Sequence, residues 1–386
     1  MQLLFFLLQI IIGFNLLFPI LLYLLWKVKK KSRKQALHSF IEKDFAIIIT
    51  AYQDTSHVPA AVHSALASTY QNYHVYVVAD NCSHNETLNF NNEKVTVLYP
   101  ENIIASNTGS HFYAINHFIR DHEVLMIADS DNLLHPDILH NLNQDFLNGF
   151  EATQGLRAAK NLDTTFANLD AARDIYYHFY DGKVLFEVGS SATLAGSGMA
   201  FTVDLYKTCL MNLTVKGAGF DKVLQYEILK QNKRIAFNEA AIIFDEKTSK
   251  PDQLVNQRAR WINTWFKYFK FGFSLIGKSI KTLSFNQFIF GIVLLRPPLF
   301  IFLLLSVLFI ILNLFISPLI SLVWLIGLLL FATGFIIALK QSHTDKKTYK
   351  ALSSIPVFIY YQVISLILSR KANQRSVATK HNYQDK

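Results

Sequence analysis

The chain has 386 residues, of which 51% are hydrophobic and only 17% charged. Soluble domains carry about 25% charged residues, so this composition excludes an unstructured chain and argues against an ordinary soluble enzyme. Lys and Arg total 37 against 28 Asp and Glu, a formal charge of +9, which raises nucleic acid or an anionic membrane surface as partner.

Position chooses between the two. Lys27, Lys29, Lys30, Lys31, Arg33 and Lys34 follow directly on an apolar run, and Arg370, Lys371, Arg375, Lys380 and Lys386 follow the last one. Such clusters anchor a protein at a membrane border, and no nucleic-acid face is indicated. Cys82 and Cys209 lack metal-ligand spacing, so neither a disulfide framework nor a zinc site is expected, and a reducing compartment fits.

In chain order, residues 3–26 carry no charge and exceed the roughly 20 residues that cross a bilayer core. They lack the positive start and small-residue cleavage site of a signal peptide, so 1–26 is expected to be a permanent anchor. The basic linker 27–40 places residue 27 onward, up to the next apolar spans, in the cytoplasm. From 41 to 270 the pattern changes to short apolar runs between polar helical stretches. Phe45–Ile49, Val75–Ala79, Val95–Tyr99 and Val124–Ala128 are β-branched and nearly continuous, as strands buried on both faces of a parallel sheet are. Val58, Ala61, Val62 and Leu66 have helical spacing within 58–68. Strand and helix alternate, so the domain is expected to be α/β and Rossmann-like.

Residues 271–298 read as interfacial helices, with 285–295 lying along the membrane ahead of Arg296-Pro297-Pro298. Residues 299–316 and 319–339 form a transmembrane hairpin separated by Ser317 and Pro318. Residues 351–369 read as an interfacial or re-entrant helix, with a fourth span as the alternative, and 370–386 as a basic tail. The expectation is a multi-pass protein of the cell (inner) membrane with a cytoplasmic domain.

Ligands of open α/β sheets sit beyond the carboxyl ends of the strands. There the sequence has Thr50-Ala51-Tyr52-Gln53-Asp54, then Asp80-Asn81-Cys82-Ser83, then Asp129-Ser130-Asp131-Asn132. Carboxylates at three strand ends describe a polar cleft. Neither GxGxxG nor GxxxxGK[ST] occurs. Asp129 and Asp131 suit a Mg²⁺ or Mn²⁺ ion that bridges phosphate oxygens, although an acidic turn after a strand looks the same. In Gln257-Arg258-Ala259-Arg260-Trp261, positions 257, 260 and 261 share one helix face. They offer a guanidinium for phosphate and an indole plane for a sugar, or else an interfacial helix whose Arg and Trp snorkel.

Taken in order, these segments resemble the membrane-integrated family 2 glycosyltransferases of the cellulose synthase and hyaluronan synthase kind. The likeness covers about 45–270. It also rests on Pro136-Asp137, Gln154-Gly155, Gly196-Ser197-Gly198-Met199-Ala200-Phe201, Gly219-Phe220-Asp221 and Asp245-Glu246-Lys247. The resemblance implies a GT-A type fold, with Ala51, Tyr52, Asp54 and Asp80 holding base and ribose. It further implies Asp129 and Asp131 on the metal and diphosphate, Asp221 as general base, and Gln257, Arg260 and Trp261 on the diphosphate and acceptor. The sequence departs from the family at Thr50 and Gln53-Asp54, at Phe220 and Lys222 beside Asp221, and at Ser110 or His111 where a Lys is common.

The function expected is inverting transfer from a nucleotide sugar, with UDP as the nucleotide, to a growing polysaccharide or membrane-associated acceptor. The alternative is a single transfer to a ceramide- or polyprenyl-type lipid, and a non-catalytic scaffold is a remote third. Partners are therefore the nucleotide sugar, a glycan or lipid acceptor, the membrane, and any export or accessory subunits. His57, His63, His74 and His84 are expected at the surface or in loops, and Glu187 and Asp245 in the polar cleft. A transporter is disfavoured because the apolar spans contain no acids.

Overall fold

The computed structural model describes residues 2–29, 41–84, 86–215 and 217–372. The linker cations Lys30, Lys31, Arg33 and Lys34 and the tail cations Arg375, Lys380 and Lys386 lie outside the described residues.

The first half of the chain contains α1 (Gln2–Val28), β1 (Phe45–Tyr52), α2 (Val58–Leu66), β2 (Tyr73–Asp80), β3 (Val95–Leu98), α3 (Asn107–Asn116), β4 (Val124–Asp129), β5 (Leu133–Leu134), α4 (Ile138–Leu147), β6 (Ala152–Ala159) and α5 (Thr165–Tyr177). A π-helical turn, His178–Val184, and the single turn α6 (Leu185–Glu187) extend α5. Then come β7 (Met199–Thr202), α7 (Val203–Leu210), α8 (Phe220–Lys230), β8 (Ala236–Asp245), α9 (Pro251–Tyr268), α10 (Phe271–Thr282), α11 (Phe285–Leu295), α12 (Leu299–Ile316), α13 (Pro318–Gln341), α14 (Lys346–Ala351) and α15 (Ile355–Leu368).

The strands form one mixed sheet in the order β3-β2-β1-β4-β7-β6-β8-β5. Strands β1 to β4 pair in parallel, and β7 enters antiparallel between β4 and β6. Alternate side chains of β1 go to opposite faces, because the strand period is two. Phe45, Ile47 and Ile49 pack on α2 and α4, while Ala46 and Ile48 join a second core. That second core continues without a break into Leu16, Phe309, Trp324 and Phe331 of the apolar helices, so domain and membrane region are packed as one body. His74 belongs to this sheet as well. It is buried in β2, with Nε2 2.8 Å from Thr96 Oγ1, rather than lying at the surface as its polarity implied.

Among the described residues, four segments are long and apolar enough to cross a membrane: Leu3–Val28, Leu299–Ile316, Pro318–Gln341 and Lys346–Leu368. The interior shared by α1, α12 and α13 is filled. Phe309 packs on Trp324 at 4.9 Å, and Gln9 Oε1 accepts hydrogen bonds from Trp324 Nε1 (2.6 Å) and Asn313 Nδ2 (2.8 Å). The fourth segment is composite, being α14, a 3₁₀ turn and α15. Alone, α15 has 14 residues and rises only about 21 Å against a core of about 30 Å. It packs against α9 of the sheet domain.

Gly155 sits at the register shift between β6 and β8. A Cβ there would strike the Ala241 carbonyl and lie 3.0 Å from the Gly198 oxygen. Backbone atoms in a sheet cannot give way, so Gly155→Ala is expected to destabilise by about 1–3 kcal/mol. Thermal unfolding of the detergent-solubilised variant checks this.

Candidate active site

The sheet register assembles the strand-end residues. Tyr52 pairs across with Asp80 and Thr50 with Asp129, so three neighbouring strands end on carboxylate-bearing segments. A cleft of about 650 Å³ opens there, and Ala51, Tyr52, Asp54, Asp80, Asp129, Asp131, Asp221, Gln257, Arg260 and Trp261 all line it. Asp80 is buried, and its two oxygens accept the backbone N–H groups of Ile104 (2.9 Å) and Ala105 (2.6 Å). It thereby holds the loop ahead of α3 as the cleft wall. Asp54 Oδ1 accepts the Ser56 amide at 2.9 Å. Ser110 faces the cleft, whereas His111 is fully buried with Nδ1 2.7 Å from the Tyr206 hydroxyl.

The Gly-Ser-Gly segment is held from both sides. Gln154 Oε1 accepts from Ala195 N at 2.8 Å and Gln154 Nε2 donates to Ser197 O at 3.0 Å. Ser197 in turn donates to Asn132 Oδ1 and accepts the Asp129 amide at 3.2 Å. This fixes the turn that carries Asp129 and Asp131. Two hard carboxylate donors one residue apart fit Mg²⁺ or Mn²⁺. The described residues contain no cluster of three or more His, Cys, Asp or Glu suited to a metal, so an ion held by these two carboxylates would need oxygen donors from outside the protein as well.

Asp221 lies in the first turn of α8, after Gly219 at φ 102°. A Cβ at Gly219 would come within 2.6 Å of Thr264 and 2.7 Å of Tyr268. Only glycine therefore lets α8 start this close to α9. Lys222 Nζ sits 3.0 Å from Asp221 Oδ2 and donates to Leu194 O at 3.0 Å.

The cleft wall itself carries a buried ion network: Arg157, Arg173, Asp174, Arg258 and Asp245, the last expected in the polar cleft, all line it. Asp245 pairs with Arg157 at 2.8 Å and with Lys247 at 2.9 Å; Lys247 reaches Asp174 at 2.7 Å, and Asp174 meets Arg173 at 2.8 Å. Asp170 binds Arg258 of α9 and accepts from Thr248 Oγ1 at 2.8 Å. Burial opposes the charge on Asp245, but Arg157 and Lys247 outweigh it and hold the carboxyl below its ordinary value. Burial and neighbouring Arg173 push Arg258 down to about 10, and burial lowers Arg260 as well. Both stay cationic at neutral pH. The guanidiniums of Arg258 and Arg173 lie 4.0 Å and 4.8 Å from the Trp261 ring centre. The indole plane is thus already engaged by cations rather than lying open. Asp170, Asp174, His178 and Asp181 recur at helical spacing and mark one polar face of this segment, but no partner for them is readable nearby. Glu187 is not in the cleft; its Oε2 accepts from Trp26 Nε1 at 2.5 Å, where the anchor meets the domain.

A mixed α/β sheet with carboxylates at its switch-point strand ends, facing a basic helix across a cleft, is the GT-A-like form of the Rossmann fold. Residues 43–264, more than half of the chain, match the family described as Glycosyltransferase like family 2. The chain belongs to that family. Its fold is similar to that of mannosyltransferase PcManGT from Pyrobaculum calidifontis, solved in complex with GDP-Man and Mn²⁺. The identity is 14% and the TM-score 0.61, over 93% of this chain and 97% of that one. Residues 1–349 of TarS from S. aureus align at 13% identity and a TM-score of 0.41, over 85% of this chain and 90% of the other. No curated protein matches the chain in sequence.

Removing one partner of a buried ion pair costs about 3–5 kcal/mol. Asp170→Asn, which leaves Arg258 without its counter-charge, is therefore expected to lower the melting temperature by about 10 °C. Lys43→Ala, which breaks the more exposed 2.7 Å pair with Glu123, should cost less than about 1 kcal/mol. Because the folded-state pKa of Asp245 is depressed, its stabilisation is complete above the unfolded carboxyl value of about 4. It is lost as the pH falls below that, so melting temperature should decline steeply between about pH 4 and pH 2.

Proposed function

We propose that this family 2 glycosyltransferase moves a single sugar, with inversion, from a nucleoside-diphosphate sugar to a lipid-anchored acceptor that enters from the membrane. The observation that carries this is the continuity of the cleft. The lining that includes Asp129 and Asp131 also includes Val293 and Leu294 of α11, Pro297, Pro298 and Leu299 at the start of α12, and Gln362 of α15. The donor end and the bilayer edge thus share one space. The filled interior between α1, α12 and α13 favours this acceptor over a polymer that needs an export channel.

In this reading Asp221 takes the acceptor hydroxyl proton as that oxygen attacks the anomeric carbon in line. Arg260 and Gln257 receive the charge that develops on the departing nucleoside diphosphate. Ala51, Tyr52, Asp54 and Asp80 surround the nucleoside, and Trp261 orients Arg173 and Arg258 at the acceptor side. When bound, Mg²⁺ or Mn²⁺ on Asp129 and Asp131 supplies Lewis-acid neutralisation of the diphosphate. The domain lies on the cytoplasmic side, since Lys27, Lys29, Lys346, Lys347 and Lys350 flank the spans where they meet it. The fold relative was solved with GDP-Man, so UDP- and GDP-sugars are the two donors to compare.

Membranes given labelled donor should yield a solvent-extractable lipid bearing one sugar. A long, protein-retained glycan as the main product would overturn the acceptor assignment. Asp221→Asn should lower kcat by about 10²–10⁴ and leave the donor KM within about twofold. Wild-type kcat in that variant would remove Asp221 from the chemistry. Chelation should abolish transfer, and added Mn²⁺ or Mg²⁺ should restore it.

A further inference from the structure

One pair of charges in the cleft is left over from this chemistry. Asp181 stands on the π-helical turn His178–Val184, and Arg296 joins α11 to α12. Both line the cleft. Arg296 Nη2 donates to Asp181 Oδ2 at 2.5 Å, and the two side chains are only 7% and 5% exposed. Yet among the described residues Arg296 Nη1 and Asp181 Oδ1 find no hydrogen-bond partner. A buried donor or acceptor left unpaired forfeits the hydrogen bond it had with water, so this pair is a site with two unmet demands. Phe18 of the anchor lies 5.9 Å from the guanidinium, and Pro297, Pro298 and Leu299 continue the wall toward the bilayer.

We propose that Asp181 and Arg296 form the acceptor-headgroup subsite, and that it takes an uncharged, hydroxylated lipid headgroup such as a sugar or glycerol. The proposal rests on the lipid-acceptor function proposed for this cleft. A hydroxyl both donates and accepts, so one or two vicinal hydroxyls meet both demands, donating to Asp181 Oδ1 and accepting from Arg296 Nη1. A phosphate can only accept, and the Asp181 carboxylate would face it with like charge. The carboxylate already neutralises the arginine, which removes the net positive charge that a lipid phosphate would seek. The two atoms are closed to bulk water, so the headgroup meets them after a rotation of the two side chains into the cleft. The pair positions the acceptor and takes no part in proton transfer, which stays with Asp221.

The test uses the full chain in nonionic detergent, with labelled UDP- and GDP-sugars. Two sets of mixed micelles are compared, one carrying diacylglycerol and monoglycosyl diacylglycerols, the other a polyprenyl phosphate. Label in the uncharged lipids, together with at least a tenfold rise in acceptor KM for Asp181→Asn at unchanged donor KM, is the expected result. Arg296→Lys, which keeps the charge but loses the second nitrogen, should raise the acceptor KM as well and guards against a misfolded Asp181 variant. Label in the polyprenyl phosphate alone overturns this inference and leaves the lipid-acceptor function standing. Unchanged acceptor KM in both variants overturns the inference too. Donor hydrolysis with no lipid labelled in either set overturns both.

Discussion

The structure depends on a buried ion network that ties the basic helix to the sheet. Arg157 on β6, Asp245 at the end of β8, Lys247 beyond it and Asp174 on α5 form one chain of contacts, and Asp170 on the same helix holds Arg258 of α9. Buried charges survive only when paired and hydrogen-bonded, so these elements have one acceptable arrangement. That arrangement sets Gln257, Arg260 and Trp261 across the cleft from Asp129 and Asp131. It also explains Gly219, whose missing side chain lets α8 bring Asp221 up against α9.

The second constraint is the rigid joint between the domain and its membrane helices. Trp26 bonds Glu187, Lys29 Nζ donates to Val188 O at 2.7 Å, and the Tyr180 hydroxyl donates to Gly334 O at 2.8 Å. Tyr180 lies in the π-helical turn that carries Asp181. One local irregularity therefore sets both the seating of α13 and the polar wall of the cleft. An extra residue per turn in a helix shifts the face of the next turn, and here it sends Tyr180 to α13 while Asp181 reaches Arg296.

The legibility of the fold varied with the environment of each strand. Strands β1, β2 and β4 are buried on both faces, so their β-branched runs stand out. Strands β6 and β8 carry Gln154, Arg157 and Asp245 toward the cleft and its support, and Asn238 toward α4. Their mixed composition hides the strand period, and β7 has only four residues. The residues of the site were legible through strand-end position and family motif, whereas their supports were not. Asp170 and Arg258 are 88 residues apart and Asp174 and Lys247 are 73 apart, distances at which no local pattern signals a pair.

The sequence by itself determined the apolar spans, the alternation of strand and helix, and the ordered motifs of a family 2 glycosyltransferase. Each of these is a matter of local composition or of short spacing, and a bilayer or a sheet responds to them directly. Only the tertiary structure decided that the ten expected residues share one cleft and that its lining runs on to Pro297, Pro298 and Leu299 at the start of α12. It likewise decided that Trp261 is covered by two guanidiniums, that Glu187 serves the anchor, and that Asp181 and Arg296 meet with one atom each left over. Which charges pair, and which remain unmet, depends on how distant elements cross, and burial settles that after the local structure has formed.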